Sequence, residues 1–223
     1  MNYKVIPQEG LKLFACVTML LDHVGAALWP SVRLRIIGRL SFPVYCFLLT
    51  EGIRHTRNPK KYLCRLAYAA VLSEIPFDLL FHGRLTLQAQ SVMLTLFLGA
   101  AMLLAIRRTT SGPVKTIWIL LACIAAELLQ TDYGCTGIFL IALFGLTHSL
   151  PVQLVGMALL FIPTAPVAIW SVSVPIGLFA LLSLIPISMY NGIKRTSSKW
   201  VQRGFYLFYP AHMLLLLLLK ISQ

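Results

Sequence analysis

Carboxylates are scarce in this sequence: seven of its 223 residues are Asp or Glu, against nineteen Lys and Arg. No polar stretch is long enough to fold on its own. Together these absences exclude a water-soluble domain, which needs a charged surface. What replaces charge is apolar bulk: 58% of the residues are hydrophobic, and the mean hydropathy is +0.82. Such a chain reads as a polytopic membrane protein, all-α, with a single transmembrane domain over residues 1–223. No small-residue cleavage site follows the first apolar run, which Asp22 and His23 interrupt, so a removed leader is not expected. The sequence also has no CxxC pair and no Cys/His cluster. Its five cysteines (Cys16, Cys46, Cys64, Cys123 and Cys135) are scattered and read as packing residues, and no metal set is expected. A net charge of +12 usually raises the question of nucleic acid. Here the cations sit in short loops between apolar runs, where they act as orientation signals, so no nucleic-acid partner is expected.

Nine apolar segments are visible, at roughly 11–29, 34–53, 62–81, 91–106, 114–130, 135–148, 151–168, 172–189 and 205–221. The sixth and seventh are the weakest. Pro151 separates them and Pro163 and Pro166 interrupt the seventh, so a re-entrant pair over 135–168 is an alternative to two full spans. No internal repeat is seen. Fourteen of the nineteen basic residues fall on one side of this arrangement: Lys4 and Lys12; Arg54, Arg57, Lys60, Lys61 and Arg65; Arg107, Arg108 and Lys115; Lys194, Arg195, Lys199 and Arg203. The opposite loops hold Arg33, Arg35 and Arg84. The bias places the N-terminus in the cytoplasm.

Most of the few carboxylates fall inside the apolar segments, where an ionised group costs at least a few kcal/mol. Counted along the segments, Asp22, His23, Arg39, Glu74, Asp78 and Glu127 lie in the outer half, with Asp132 just beyond. These groups are expected to converge on one outward-facing, net acidic cavity. Glu74 and Asp78 share a helix face at i and i+4, with Pro76 between them. Residues i and i+1 do not face each other on a helix. Asp22 is therefore expected to pair with Arg39, and His23 to find its partner on another helix, at Glu74, Asp78 or Glu127. The inner half holds Glu51, Arg54 and His55, and also Tyr209 and His212. Blander readings stand beside these. The Arg39 pair can be structural, and Glu51, Arg54 and His55 can form an interfacial cap. Tyr206 and Tyr209 read as interface-belt aromatics, while His82 and His148 read as solvated.

Several stretches in order, "LDHVG" (21–25), "LRIIGRLSFPVYCFLLTEGIRHTRN" (34–58), "KYLCRLAYAAVLSEIPFDL" (61–79), "AELLQTDYGCTG" (126–137), "MYNG" (189–192) and "FYLFYPAHM" (205–213), resemble the TraX family. That family is named for a conjugation protein that N-acetylates pilin, and it is similar to the wider group of transmembrane acyltransferases. The resemblance implies acetyl transfer across a bacterial cytoplasmic membrane. The donor would be cytoplasmic acetyl-CoA. The acceptor would be a pilin-like protein or a surface glycan or lipid on the far side. It puts the chemistry on His23, with Asp22 beside it, and draws Arg39, Glu51, Arg54, Glu74, Asp78, Glu127, Asp132 and His212 into the site. In that scheme Arg54, Arg57, Lys61 and Arg65 hold the CoA phosphates. Membrane lipid is the remaining partner. Two other classes compete: a proton- or cation-coupled transporter, which would use the same intramembrane acids, and a non-catalytic assembly subunit.

Overall fold

Inside hydrocarbon, every backbone N–H and C=O must be satisfied within the protein, so long apolar runs become helices. The computed structural model describes residues 4–169, 172–193 and 198–222. Two of the basic residues used above for orientation, Lys194 and Arg195, lie outside the described residues. The helices are α1 (Gln8–Ala27), α2 (Val32–Gly38), α3 (Ser41–His55), α4 (Pro59–Phe81), α5 (Val92–Ile106), α6 (Gly112–Leu128), α7 (Gly134–Leu146) and α8 (Leu150–Phe161). An antiparallel pair follows, β1 (Pro166–Ile169) and β2 (Val172–Pro175), then a 3-10 helix (Ile176–Ser183), α9 (Leu184–Ser188) and α10 (Lys199–Ile221).

The chain is thus an all-α membrane protein with one short strand pair among the described residues. Three of its described helical stretches are long and apolar enough to cross a membrane: Gln8–Ala27, Val32–His55 and Trp200–Ile221. Val92–Ile106, Gly134–Leu146, Leu150–Phe161 and Ile176–Ser188 are apolar but shorter. The helix starts follow the local chemistry. Asn58 caps α4, its side chain accepting from Lys61 N at 2.9 Å with Pro59 at the first helical position. Ser198 caps α10 in the same way through Val201 N. α4 runs on through Pro76.

Three of the sequence-predicted segments change form. The one at 34–53 is broken at Arg39–Leu40 between α2 and α3, where Ser41 Oγ donates to Gly38 O at 2.8 Å. The one at 151–168 stops being helical at Phe161, and the prolines 163 and 166 lead into β1. The one at 172–189 begins as β2 and continues as a 3-10 turn rather than as a long helix.

The chain divides into two compact units. One comprises residues 1–48 and 147–223, the other residues 49–146. In the first, Leu11, Val44, Met157, Met213 and Leu216 are fully buried. The N-terminal segment is tied to the "MYNG" stretch: Ile6 N donates to Met189 O at 2.9 Å, and Asn191 N to Ile6 O at 3.0 Å. In the second, Leu80, Ile138, Leu140, Ile141 and Phe144 form the centre. There α5 and α7 approach so closely that a Cβ at Gly99 would collide with the Ile141 side chain. Tyr68, Val71, Leu72 and Ile75 on α4 point outward, as do Leu120, Leu121 and Ile124 on α6. Apolar outer faces of this kind suit contact with hydrocarbon.

Candidate active site

The first unit contains the most chemically loaded cluster. α1 presents Asp22 and His23 in its last two turns. α2 crosses it closely, because two glycines remove the side chains that would hold the helices apart. A Cβ at Gly25 would lie 2.6 Å from Leu34 Cβ, and one at Gly38 would run into the Asp22 side chain. Asp22 is thereby set under two guanidiniums of α2 and its C-cap. Arg35 donates to Oδ2 at 2.6 Å and Arg39 to Oδ1 at 3.2 Å. Only 14% of the Asp22 side chain and 15% of Arg39 remain exposed. Gly38→Ala is accordingly expected to lower stability by about 1–3 kcal/mol. Thermal unfolding in detergent would read this as a lower midpoint, and an unchanged midpoint would contradict the close packing.

The expected Asp22–Arg39 pair is present. Arg35 is a second partner that the sequence left in an outer loop, although it stands at i−4 from Arg39 and so on the same helix face. One carboxylate against two guanidiniums makes this cluster net positive, not acidic as expected. The carboxylates expected to make it acidic, Glu74, Asp78 and Glu127, lie in the second unit.

His23 takes a partner from another helix, and that partner is His212. Nδ1 of His23 lies 2.7 Å from Nε2 of His212, with the rings within 7° of parallel. His212 Nδ1 in turn lies 2.7 Å from Phe208 O. A carbonyl can only accept, so Nδ1–H of His212 donates to it. In a neutral ring that leaves Nε2 as the acceptor for Nδ1–H of His23. The relay therefore places the lone pair of a neutral His23 on Nε2. Tyr209 packs edge-on against both imidazoles, with centroids 6.1 Å from His23 and 5.5 Å from His212, and it is buried. It is a wall of this cluster rather than an interface-belt aromatic. The sequence count had put His23 and His212 in opposite halves of the membrane. The contact corrects that, because α10 starts at Lys199, six residues before the predicted 205.

Glu74, Asp78, Glu127 and Asp132 belong to the second unit. Each of the first three accepts backbone N–H groups there. Glu74 accepts from Ser91 N at 3.1 Å and Ser91 Oγ at 2.6 Å, at the start of α5. Asp78, one turn on, accepts from Thr86 N at 2.8 Å. Between them they fasten the connection from α4 to α5. Glu127 accepts from Cys135 N at 2.6 Å at the start of α7, where a carboxylate also meets the favourable end of the helix dipole. Asp132 is exposed, and its backbone bridges to Gln90 O at 2.8 Å and to Thr95 Oγ1. Removing the cap with Glu74→Ala is expected to cost about 1–2 kcal/mol. Faster hydrogen exchange at the start of α5 would report it, and unchanged exchange would contradict it.

In the same unit Arg54 is held by Glu51 Oε1 at 2.8 Å and by Phe144 O at 3.0 Å, closing the C-terminal end of α7. His55 Nδ1 lies 2.9 Å from Glu51 O. Arg57, Lys60, Lys61 and Arg65 are exposed around the start of α4. There the positive end of the helix dipole adds to their charge.

Over 92% of its length, and over 92% of the relative, the chain is 30% identical to a probable fimbrial assembly protein, FimC of serogroup H1, from Dichelobacter nodosus. An uncharacterized protein of Rickettsia prowazekii is 33% identical over 93 residues, which is 41% of this chain and 34% of that one. No solved structure matches. The family model described as TraX protein matches residues 7–220, nearly the whole sequence, and the chain therefore belongs to the TraX family.

Proposed function

We propose that this protein is a membrane-embedded acyltransferase of a bacterial cytoplasmic membrane. It moves an acetyl group from cytoplasmic acetyl-CoA to an amine or hydroxyl at the outer side, with a pilin-like protein as the acceptor class. The observation that carries this reading is the His23–His212 relay anchored on Phe208 O. It fixes one tautomer and leaves Nε2 of His23 as a base. The acceptor nitrogen or oxygen attacks the thioester carbonyl as Nε2 takes its proton. The C–S bond then breaks, and CoA leaves as a thiolate that takes up a proton. Arg39 and Arg35 carry one more positive charge than Asp22 neutralises, which suits an oxyanion forming nearby. The fimbrial assembly relative supports a pilin-type acceptor.

The donor's phosphates are assigned chiefly to Arg57, Lys61 and Arg65, exposed at the start of α4, while Glu51 and Arg54 hold the adjoining helix ends. A cation-coupled transporter would need Glu74 or Asp78 to load and release its ion. Both are engaged with backbone N–H groups, so the transfer reading is preferred.

Equilibrium binding of acetyl-CoA to purified protein tests the assignment. The triple variant Arg57→Ala, Lys61→Ala, Arg65→Ala is expected to bind roughly 10–100-fold more weakly, with a flatter salt dependence. Unchanged affinity in the variant would remove the phosphate site. Substrate flux in liposomes without CoA would replace the whole reading.

A further inference from the structure

A groove of about 350 Å³ runs between α1 and α10 in the first unit, lined by Leu13, Val17 and Leu20 on one side and by Gly204, Phe205 and Phe208 on the other. Its walls are apolar, and Leu13 and Val17 are exposed. One end is basic and aromatic. Lys12 Nζ lies 5.3 Å from the ring centroid of Phe205, a residue of the groove wall. Glu9, one turn before Lys12, is the single acid of α1 on that side of Asp22. The other end finishes at Phe208, whose ring stacks on His212 with centroids 4.8 Å apart.

We infer that this groove is a binding site for an anionic phospholipid, with one acyl chain between α1 and α10 and the phosphate at Lys12. The polarity gradient along the groove matches such a lipid: a cation and an aromatic ring at one end, hydrocarbon walls along the rest.

Gly204 supplies a clean test, because a Cβ there meets nothing within 4 Å. Gly204→Leu extends into the groove from a Cβ that stands in open space, and it replaces a poor helix former with a good one. Native mass spectrometry of the purified protein, titrated with phosphatidylglycerol or with phosphatidylcholine of the same chains, reads occupancy. Wild type is expected to retain phosphatidylglycerol roughly tenfold better. Gly204→Leu is expected to lose most of both lipids with an unchanged or higher melting temperature. Lys12→Gln is expected to bring phosphatidylglycerol down to the phosphatidylcholine level. Equal retention of the two lipids by wild type would overturn the inference. So would undiminished binding in Gly204→Leu, or loss of a second protein copy instead of lipid in that variant. None of these outcomes depends on acetyl transfer.

Discussion

His23→Ala is expected to lower acetyl transfer by about 10²–10⁴-fold, the usual contribution of a positioned general base. His212→Ala should fall in the same range for a different reason. It removes the acceptor that fixes His23 Nδ1–H, so the His23 ring loses both its orientation and its tautomer. The two residues act as one unit, and the double variant is therefore expected to be no slower than His23→Ala alone. His212→Gln, which can still offer an oxygen to Nδ1–H, should recover part of the loss. The rate of acetyl transfer to an acceptor amine, measured for wild type and the four variants with matched melting temperatures, checks all of this. Losses that multiply in the double variant would mean that the histidines act separately, and the relay would be wrong.

The second large effect concerns Asp22. Removing its carboxylate leaves two guanidiniums without their shared anion, Arg39 15% and Arg35 33% exposed. Breaking one side of a buried ion pair costs about 3–5 kcal/mol. Asp22→Ala is therefore expected to lose about 3 kcal/mol of stability. Arg39→Ala should lose less, because Arg35 still holds Oδ2 at 2.6 Å. Removing Arg35 and Arg39 together should cost about as much as Asp22→Ala, since the carboxylate is then the orphan. Thermal or denaturant unfolding in one detergent gives the ranking. If Arg39→Ala proved as damaging as Asp22→Ala, the shared geometry would be contradicted.

Much of this was readable in the residues because the forces are local. Apolar runs marked the helices, and the i to i+1 argument sent Asp22 and His23 to different partners. Asp22 met Arg39 as expected. Arg35 was missed because the break before it, Pro30 to Arg33, looked like a loop, although its i, i+4 spacing to Arg39 was a usable signal. His212 was assigned the wrong depth because hydropathy cannot see the first turns of α10. Lys199, Gln202 and Arg203 are polar there, and only the Ser198 cap marks the true start. Glu74, Asp78 and Glu127 looked like a converging acidic set. Their backbone partners at Ser91, Thr86 and Cys135 lie eight to seventeen residues away in turns whose paths no periodicity encodes. The strand pair at 166–175 was hidden for a similar reason. Its residues are as apolar as the helix before them, and the signal lay in Pro163 and Pro166, which read as breaks within one span.

The most direct test of acyl transfer centred on His23 is CoA release from acetyl-CoA by the purified protein in nanodiscs, with His23→Ala alongside. The account predicts slow release by wild type even without an acceptor, faster release with a pilin-like peptide amine, and neither in the variant. Equal release by both proteins, or no release and no acetyl-CoA binding by wild type, would contradict it.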